Sequence, residues 1–157
     1  MASWAGILEQ APELAARVRA CFDGHKHKVM ATLRADGSPR VSGTEMDFLV
    51  GEVWLGSMTG AAKARDLLRD PRVAIHCAPI DLKMVGGDAK LSGRAVEVTD
   101  PAEFAAFYAA AKHPLPTDPF HLFRLDIDEI VLTAVRGDFL VVESWRDGRG
   151  MRRIERK

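Results

Sequence analysis

Lys28-Val29-Met30-Ala31-Thr32-Leu33-Arg34-Ala35-Asp36-Gly37-Ser38-Pro39-Arg40-Val41-Ser42 is the stretch on which the fold turns. Val29, Ala31 and Leu33 alternate with Met30, Thr32 and Arg34, the period of two expected of a half-buried strand. Asp36-Gly37 supplies residues that accept a tight hairpin turn. The chain from Arg40 to Phe48 is therefore expected to run back beside the first strand. Gly51-Glu52 turns it once more, into Val53-Trp54-Leu55-Gly56-Ser57. Three strands in succession make an antiparallel meander.

The flanking segments extend this pattern. Upstream, Leu14, Val18, Cys21 and Phe22 recur at helical spacing, which predicts a helix over residues 10–22 stopped by Asp23-Gly24. Downstream, Ala64, Leu67 and Leu68 form an apolar stripe with Lys63, Arg65, Asp66 and Arg69 turned away from it. Asp70-Pro71 ends that helix, because the residue before proline avoids helical angles. Arg72 to Ala78 and Ala89 to Val98 read as strands. Asp100-Pro101-Ala102-Glu103 opens another helix with a capping side chain, a proline and a glutamate. Phe104, Phe107, Tyr108 and Ala111 give its buried face, and Pro114 closes it. Phe123, Leu125 and Ile127 begin a long hairpin whose turn is Arg136-Gly137-Asp138. Six or seven strands with three helices at the margins predict an α+β protein, mostly β, built as an antiparallel barrel.

Composition bounds what such a barrel does. The 157 residues are 47% hydrophobic, and 22 basic side chains balance 22 acidic ones. That length fits one domain, residues 1–157, with the barrel over about 25–145 and a basic tail over 146–157. Neutral balance argues against a general grip on nucleic acid or an anionic membrane surface. The longest charge-free run, Val53 to Ala62, is well short of the roughly 20 residues of a spanning helix. Two cysteines, Cys21 and Cys77, are too few for a disulfide framework. These features predict a cytoplasmic protein with no membrane or nucleic-acid partner.

The junction of the third strand and its helix carries the most chemistry. If Thr59 caps the helix, its first turn holds Gly60, Ala61, Ala62 and Lys63. A first turn ordinarily attracts acids to its free N–H groups. This one has small residues and a lysine, a pattern that suits phosphate and equally describes a solvated lysine on a surface helix. Arg40-Val41-Ser42 can present a guanidinium to the same anion, whereas Arg34 reads as edge charge against aggregation. His25 and His27 lie in a basic turn and read as solvated. His76 and Cys77 are consecutive in a strand, so they cannot chelate together. Gly86-Gly87-Asp88 fits an anion nest or a flexible loop. The six basic residues of the tail fit a polyanion contact or a solvated terminus. No hydrolytic carboxylate pair or nucleophile motif stands out, and no metal site is expected. That absence fits a protein whose reactive atoms belong to a cofactor.

Residues 31–41, with Trp54-Leu55-Gly56-Ser57, Lys63-Ala64-Arg65-Asp66-Leu67, Asp70-Pro71-Arg72-Val73-Ala74 and Leu91-Ser92-Gly93-Arg94-Ala95, resemble the pyridoxamine 5′-phosphate oxidase-like, FMN-binding split-barrel superfamily, over roughly residues 25–145. The resemblance implies a six-stranded antiparallel split β-barrel with flanking helices, a homodimer, and flavin in a groove between subunits. It implies cofactor-binding roles for Arg40, Val41 and Ser42, for Ser57 and Lys63 near the flavin phosphate, and for Asp88 around a later strand. The implied function is an FMN-dependent oxidoreductase moving hydride to or from a small organic substrate. The deazaflavin coenzyme F-420 is the alternative cofactor, and a flavin- or haem-binding carrier the alternative function. Ala62 stands where the vitamin-processing oxidases carry an arginine, and no histidine follows His121. The resemblance therefore does not extend to pyridoxamine phosphate oxidation.

Overall fold

The opening hairpin forms as its alternation requires. In the computed structural model, which describes residues 1–78, 82–112, 114 and 117–157, β1 (Lys28–Leu33) pairs antiparallel with β2 (Pro39–Thr44), Ala31 opposite Val41. The return strand does not run unbroken to Phe48. Glu45 interrupts it, and β3 (Met46–Leu49) leaves β1 to pair with β4 (Glu52–Met58). Val50 and Gly51, both at positive φ, make the connecting turn, and the paired positive angles match the twist of a two-residue hairpin.

One bent strand thus serves two neighbours. After α3 (Ala62–Arg69) come β5 (Arg72–His76), β6 (Asp88–Glu97), α4 (Pro101–Ala111), β7 (Phe120–Arg136), β8 (Phe139–Arg146) and β9 (Gly150–Arg156). The sheet runs β2-β1-β5-β6-β7-β4-β3, with β8 on β7 and β9 on β8. The ladder is open, but its two ends, β2 and β3, are joined through Glu45. Counting that pair as one strand gives the six of a split barrel. The 17-residue β7 spans the barrel and then continues outward to carry β8.

Three expectations need correction. The N-terminal helical region is two helices, α1 (Trp4–Gln10) and α2 (Pro12–Asp23), so four helices are described rather than three. Ser3 caps α1 by accepting from the Gly6 N–H at 3.1 Å, and Trp4 lies edge-on to Phe48 with ring centres 4.6 Å apart. Nine strands are described rather than six or seven, partly through the break at Glu45. The remainder come from the tail, whose largely exposed residues form the unpredicted strand β9 against β8.

The inner face gathers Met30, Leu55, Ile75, Leu91, Phe123, Leu125 and Ile127, and α2 covers it with Leu14, Val18 and Phe22. Each such side chain stabilises the fold by about 1.5–3 kcal/mol when fully buried. Gly93 marks a bulge in β6 against β7. A Cβ there would lie 2.1 Å from the Asp126 carbonyl oxygen, so only glycine fits. On the outer face of β4 and β7 a second cluster joins Trp54 and Leu122 to Phe107 and Tyr108 of α4.

Candidate functional site

The break at Glu45 opens a cavity. It has a volume of about 440 Å³ and lies where β2 bends into β3, beside the last residues of β4 and the start of α3. Gly43, Thr44, Glu45 and Asp47 form one wall, Gly56, Ser57 and Met58 a second. Ala61 and Lys63 line the helix side, while Phe107 and Tyr108 of α4 close the far side with Phe120.

The helix side carries the charge. Thr59 does not cap α3; its hydroxyl donates to the Pro119 carbonyl at 2.7 Å. The cap position is Ala61, whose side chain offers no hydrogen bond, and the first turn contains no acid. A first turn without an accepting cap leaves N–H donors for an outside oxygen. Lys63 Nζ donates to the Gly43 carbonyl at 2.8 Å, tying α3 to β2 across the cavity. Burial pulls the Lys63 ammonium below the usual lysine range, with Glu45 working partly against it.

Ser57 supplies the second polar group. The residue is 6% exposed, and its buried Oγ has no hydrogen-bond partner. A buried hydroxyl left alone costs about 1–3 kcal/mol, so this position is short of an acceptor or donor that the chain itself does not provide.

The remaining residues named from the sequence fall elsewhere. Arg40 Nε donates to Asp66 Oδ2 at 2.6 Å, away from the cavity. Thr32 Oγ1 donates to the same oxygen at 2.8 Å, and Arg69 reaches Oδ1 at 3.2 Å. Burial pushes the Asp66 carboxyl up, but hydrogen bonds from Arg40, Thr32 and Arg69 outweigh it and hold it below the usual carboxylate range. Val41 is 71% exposed on the outward face and Ser42 is half-buried. The cavity meets their strand at the next residue, Gly43. Asp88 begins β6, with His76 Nε2 3.7 Å from Oδ1, and does not line the cavity.

Sequence reasoning missed most of the wall. Gly43, Thr44 and Glu45 were one step beyond the chosen segment. Phe107 and Tyr108 read as part of the buried face of their helix, and both are buried; what the spacing does not show is that this face also closes the cavity. His27 reads as solvated and its side chain is 77% exposed, yet it also lines the cavity, with Nε2 3.3 Å from Glu45 Oε1. Among the described residues, no three His, Cys, Asp or Glu side chains meet as a metal site needs. None of their helices is long and apolar enough to cross a membrane.

The profile of the pyridoxamine 5′-phosphate oxidase family matches residues 14–134. Solved structures share the fold. PhzG from Burkholderia lata 383, in complex with tetrahydrophenazine-1-carboxylic acid, is 17% identical over 97% of this chain and 92% of its own, with a TM-score of 0.68. A pyridoxamine 5′-phosphate oxidase-related, FMN-binding protein from Nostoc punctiforme is 17% identical over 100% and 98%, at 0.62. General Stress Protein 26 from Bacillus anthracis is 18% identical over 74% and 91%, at 0.57. No curated protein matches the sequence.

Proposed function

The chain belongs to the pyridoxamine 5′-phosphate oxidase family, and from that premise we propose that it binds FMN and uses it as an oxidoreductase acting on a small organic substrate. The observation that carries this reading is Ser57 Oγ, buried without a partner beside Lys63 at the acid-free start of α3. A phosphate monoester fits that set: the hydroxyl donates, the first-turn N–H groups donate, and the ammonium supplies charge. The bound flavin would supply the hydride acceptor or donor.

The chain's own residues bind and orient. Lys63 and Ser57 hold the phosphate, with the main chain of Gly43 and Thr44 forming the wall that follows from it. Arg40 acts indirectly: its pair with Asp66 fixes β2 against α3, which sets the width of the cavity. Phe107, Tyr108 and Phe120 exclude water from the apolar side. Asp88 and the outward Val41 lie outside this cavity, and their cofactor role belongs to a second copy of the chain. The outward face of β2, β1 and β5 supports such a homodimer, since Val29, Val41, Ala31 and Ala74 form a small apolar patch there. Sedimentation of Val41→Glu at micromolar concentration is expected to show monomer where the parent protein shows dimer; a monomeric parent would remove the shared site.

The visible spectrum of the loaded protein, followed through anaerobic reduction and reoxidation by candidate acceptors, tests the function. Turnover supports an oxidoreductase. Persistent binding without turnover leaves a carrier, and binding of F-420 in preference to FMN would change the cofactor. Ala62, at the first position of α3, removes a charge that a pyridoxamine phosphate oxidase would use, so that reaction is not expected.

A further inference from the structure

Apart from the α3 side, where Lys63 stands, the charge around the cavity is negative. Glu45 is answered by Lys26 Nζ at 3.2 Å and His27 Nε2 at 3.3 Å. Asp47 is exposed and has no ion pair among the described residues. Lys28 feels its charge, but the Lys28 ammonium donates to the His25 and Lys26 carbonyls. A second cavity, of about 450 Å³, adjoins the first across Met58 and Phe120, and its lining carries one more carboxylate, Asp118. With a phosphate on Lys63, an anionic substrate would meet these carboxylates and no unpaired cation in either lining.

The register of the sheet sets Asp47 on the aromatic side of the cavity. Asp47 on β3 lies opposite Trp54 on β4, and residues so paired point to the same side of a sheet. Trp54 packs against Phe107 of α4 with ring centres 5.2 Å apart. Phe107 and Tyr108 meet at 87°, with centres 5.1 Å apart, so their rings form a corner. Phe120 supplies a third ring: it lies on bare Gly56, where a Cβ would come within 2.6 Å of Phe120 Cζ. Tyr108 is 9% exposed. Burial alone raises its phenol above the usual range, with no hydrogen bond contributing among the described residues. A nearly buried hydroxyl without a partner thus lines the same cavity as Asp47 and the three rings.

We propose that the substrate of this site carries a cationic nitrogen, a protonated or quaternary amine, held by Asp47 as counter-ion and by the rings of Tyr108, Phe107 and Phe120. Aromatic faces attract a cation through their quadrupole, and Arg, Lys and ligand ammonium groups use this attraction wherever rings gather. A carboxylate beside them adds a charge-assisted hydrogen bond when the nitrogen bears a proton. The Tyr108 oxygen is a second acceptor for that proton. The cation is a handle for recognition: a nitrogen without a free lone pair does not assist the departure of hydride from its neighbour. The proposal rests on the flavin reading for calling this ligand the substrate; the cation site itself stands on the cavity.

The test compares benzylammonium with benzyl alcohol, a ring of the same size without the charge. Each is titrated at pH 7 into the flavin-free protein, in phosphate buffer so that the anion site at Lys63 is supplied, and followed by protein NMR shifts. Benzylammonium is expected to bind at least about tenfold more tightly than benzyl alcohol. Asp47→Asn, an exposed substitution that keeps the shape of the side chain, should lower that preference to about threefold or less and leave benzyl alcohol affinity unchanged. A merely structural role for Asp47 would weaken both ligands equally. Equal binding of the two ligands, binding of neither, or an unchanged preference in Asp47→Asn would overturn the proposal. A separate titration with FMN judges the flavin reading. FMN binding without a cation preference ends this proposal alone, whereas a cation preference without FMN binding keeps the cation site and removes the flavin.

Discussion

The start of the eight-residue helix α3 and its second half are built on opposite terms. In its second half Asp66 is buried and fully engaged, taking hydrogen bonds from Thr32, Arg40 and Arg69. At the start, the cap position gives no side-chain bond, and the neighbouring Ser57 hydroxyl is buried with nothing to bond. Only one of the two regions is completed by the chain's own side chains. Buried polar groups are satisfied as a rule, so an exception asks for an outside partner. The Asp66 network holds helix to sheet; the Ser57 side is where we propose that a ligand binds.

The contrast can be broken most forcefully at Asp66. Replacing it with alanine leaves Arg40 half-buried and unpaired, and removing one partner of a buried pair costs about 3 kcal/mol or more. Denaturant unfolding of Asp66→Ala is expected to show that loss. A change within about 0.5 kcal/mol, the usual range for surface substitutions, would mean the network contributes little.

Lys63→Ala should behave in the reverse sense. Its bond to the Gly43 carbonyl is solvent-exposed, so the melting temperature should scarcely move. FMN affinity should fall at least about tenfold, or 1.4 kcal/mol, in a fluorescence titration. Unchanged affinity removes Lys63 from the anchor.

Ser57→Ala sharpens the comparison further. Removing an unsatisfied buried hydroxyl relieves its desolvation, so stability should hold or rise by up to about 1 kcal/mol, while FMN binding weakens severalfold. A destabilised variant with intact binding would make Ser57 an ordinary structural residue.

The smallest effect lies in acid. The folded Asp66 carboxyl is held below its unfolded range, so its contribution is fully present above the unfolded value near pH 4. It is lost as pH falls through the folded value. Stability measured from pH 6 down to pH 3 should therefore decline more steeply for the parent protein than for Asp66→Asn. Parallel curves would show that Asp66 carries no pH-linked stability.

Much of this was legible in the chain. The alternation from Val29 to Leu33, the turn at Asp36-Gly37 and the cap at Asp100-Pro101 are local signals, and local signals specify strands and helices directly. Ser57 and Lys63 were legible because they lie six positions apart in one continuous segment. The break at Glu45 was not: it arises because one strand must serve both β1 and β4, a demand of barrel geometry that no window of sequence contains. The same holds for Asp47 and Tyr108, brought to one cavity from β3 and α4 by the fold alone. Arg40 misled for a physical reason, since a guanidinium suits a buried carboxylate as well as a phosphate, and only the position of Asp66 decides between them.

Equilibrium titration of the flavin-free protein with FMN and with riboflavin tests the central claim most directly. The account expects FMN to bind at least about tenfold more tightly than riboflavin, because the phosphate is what Ser57, Lys63 and the start of α3 await. A folded protein that binds the two equally, or binds neither, would contradict it.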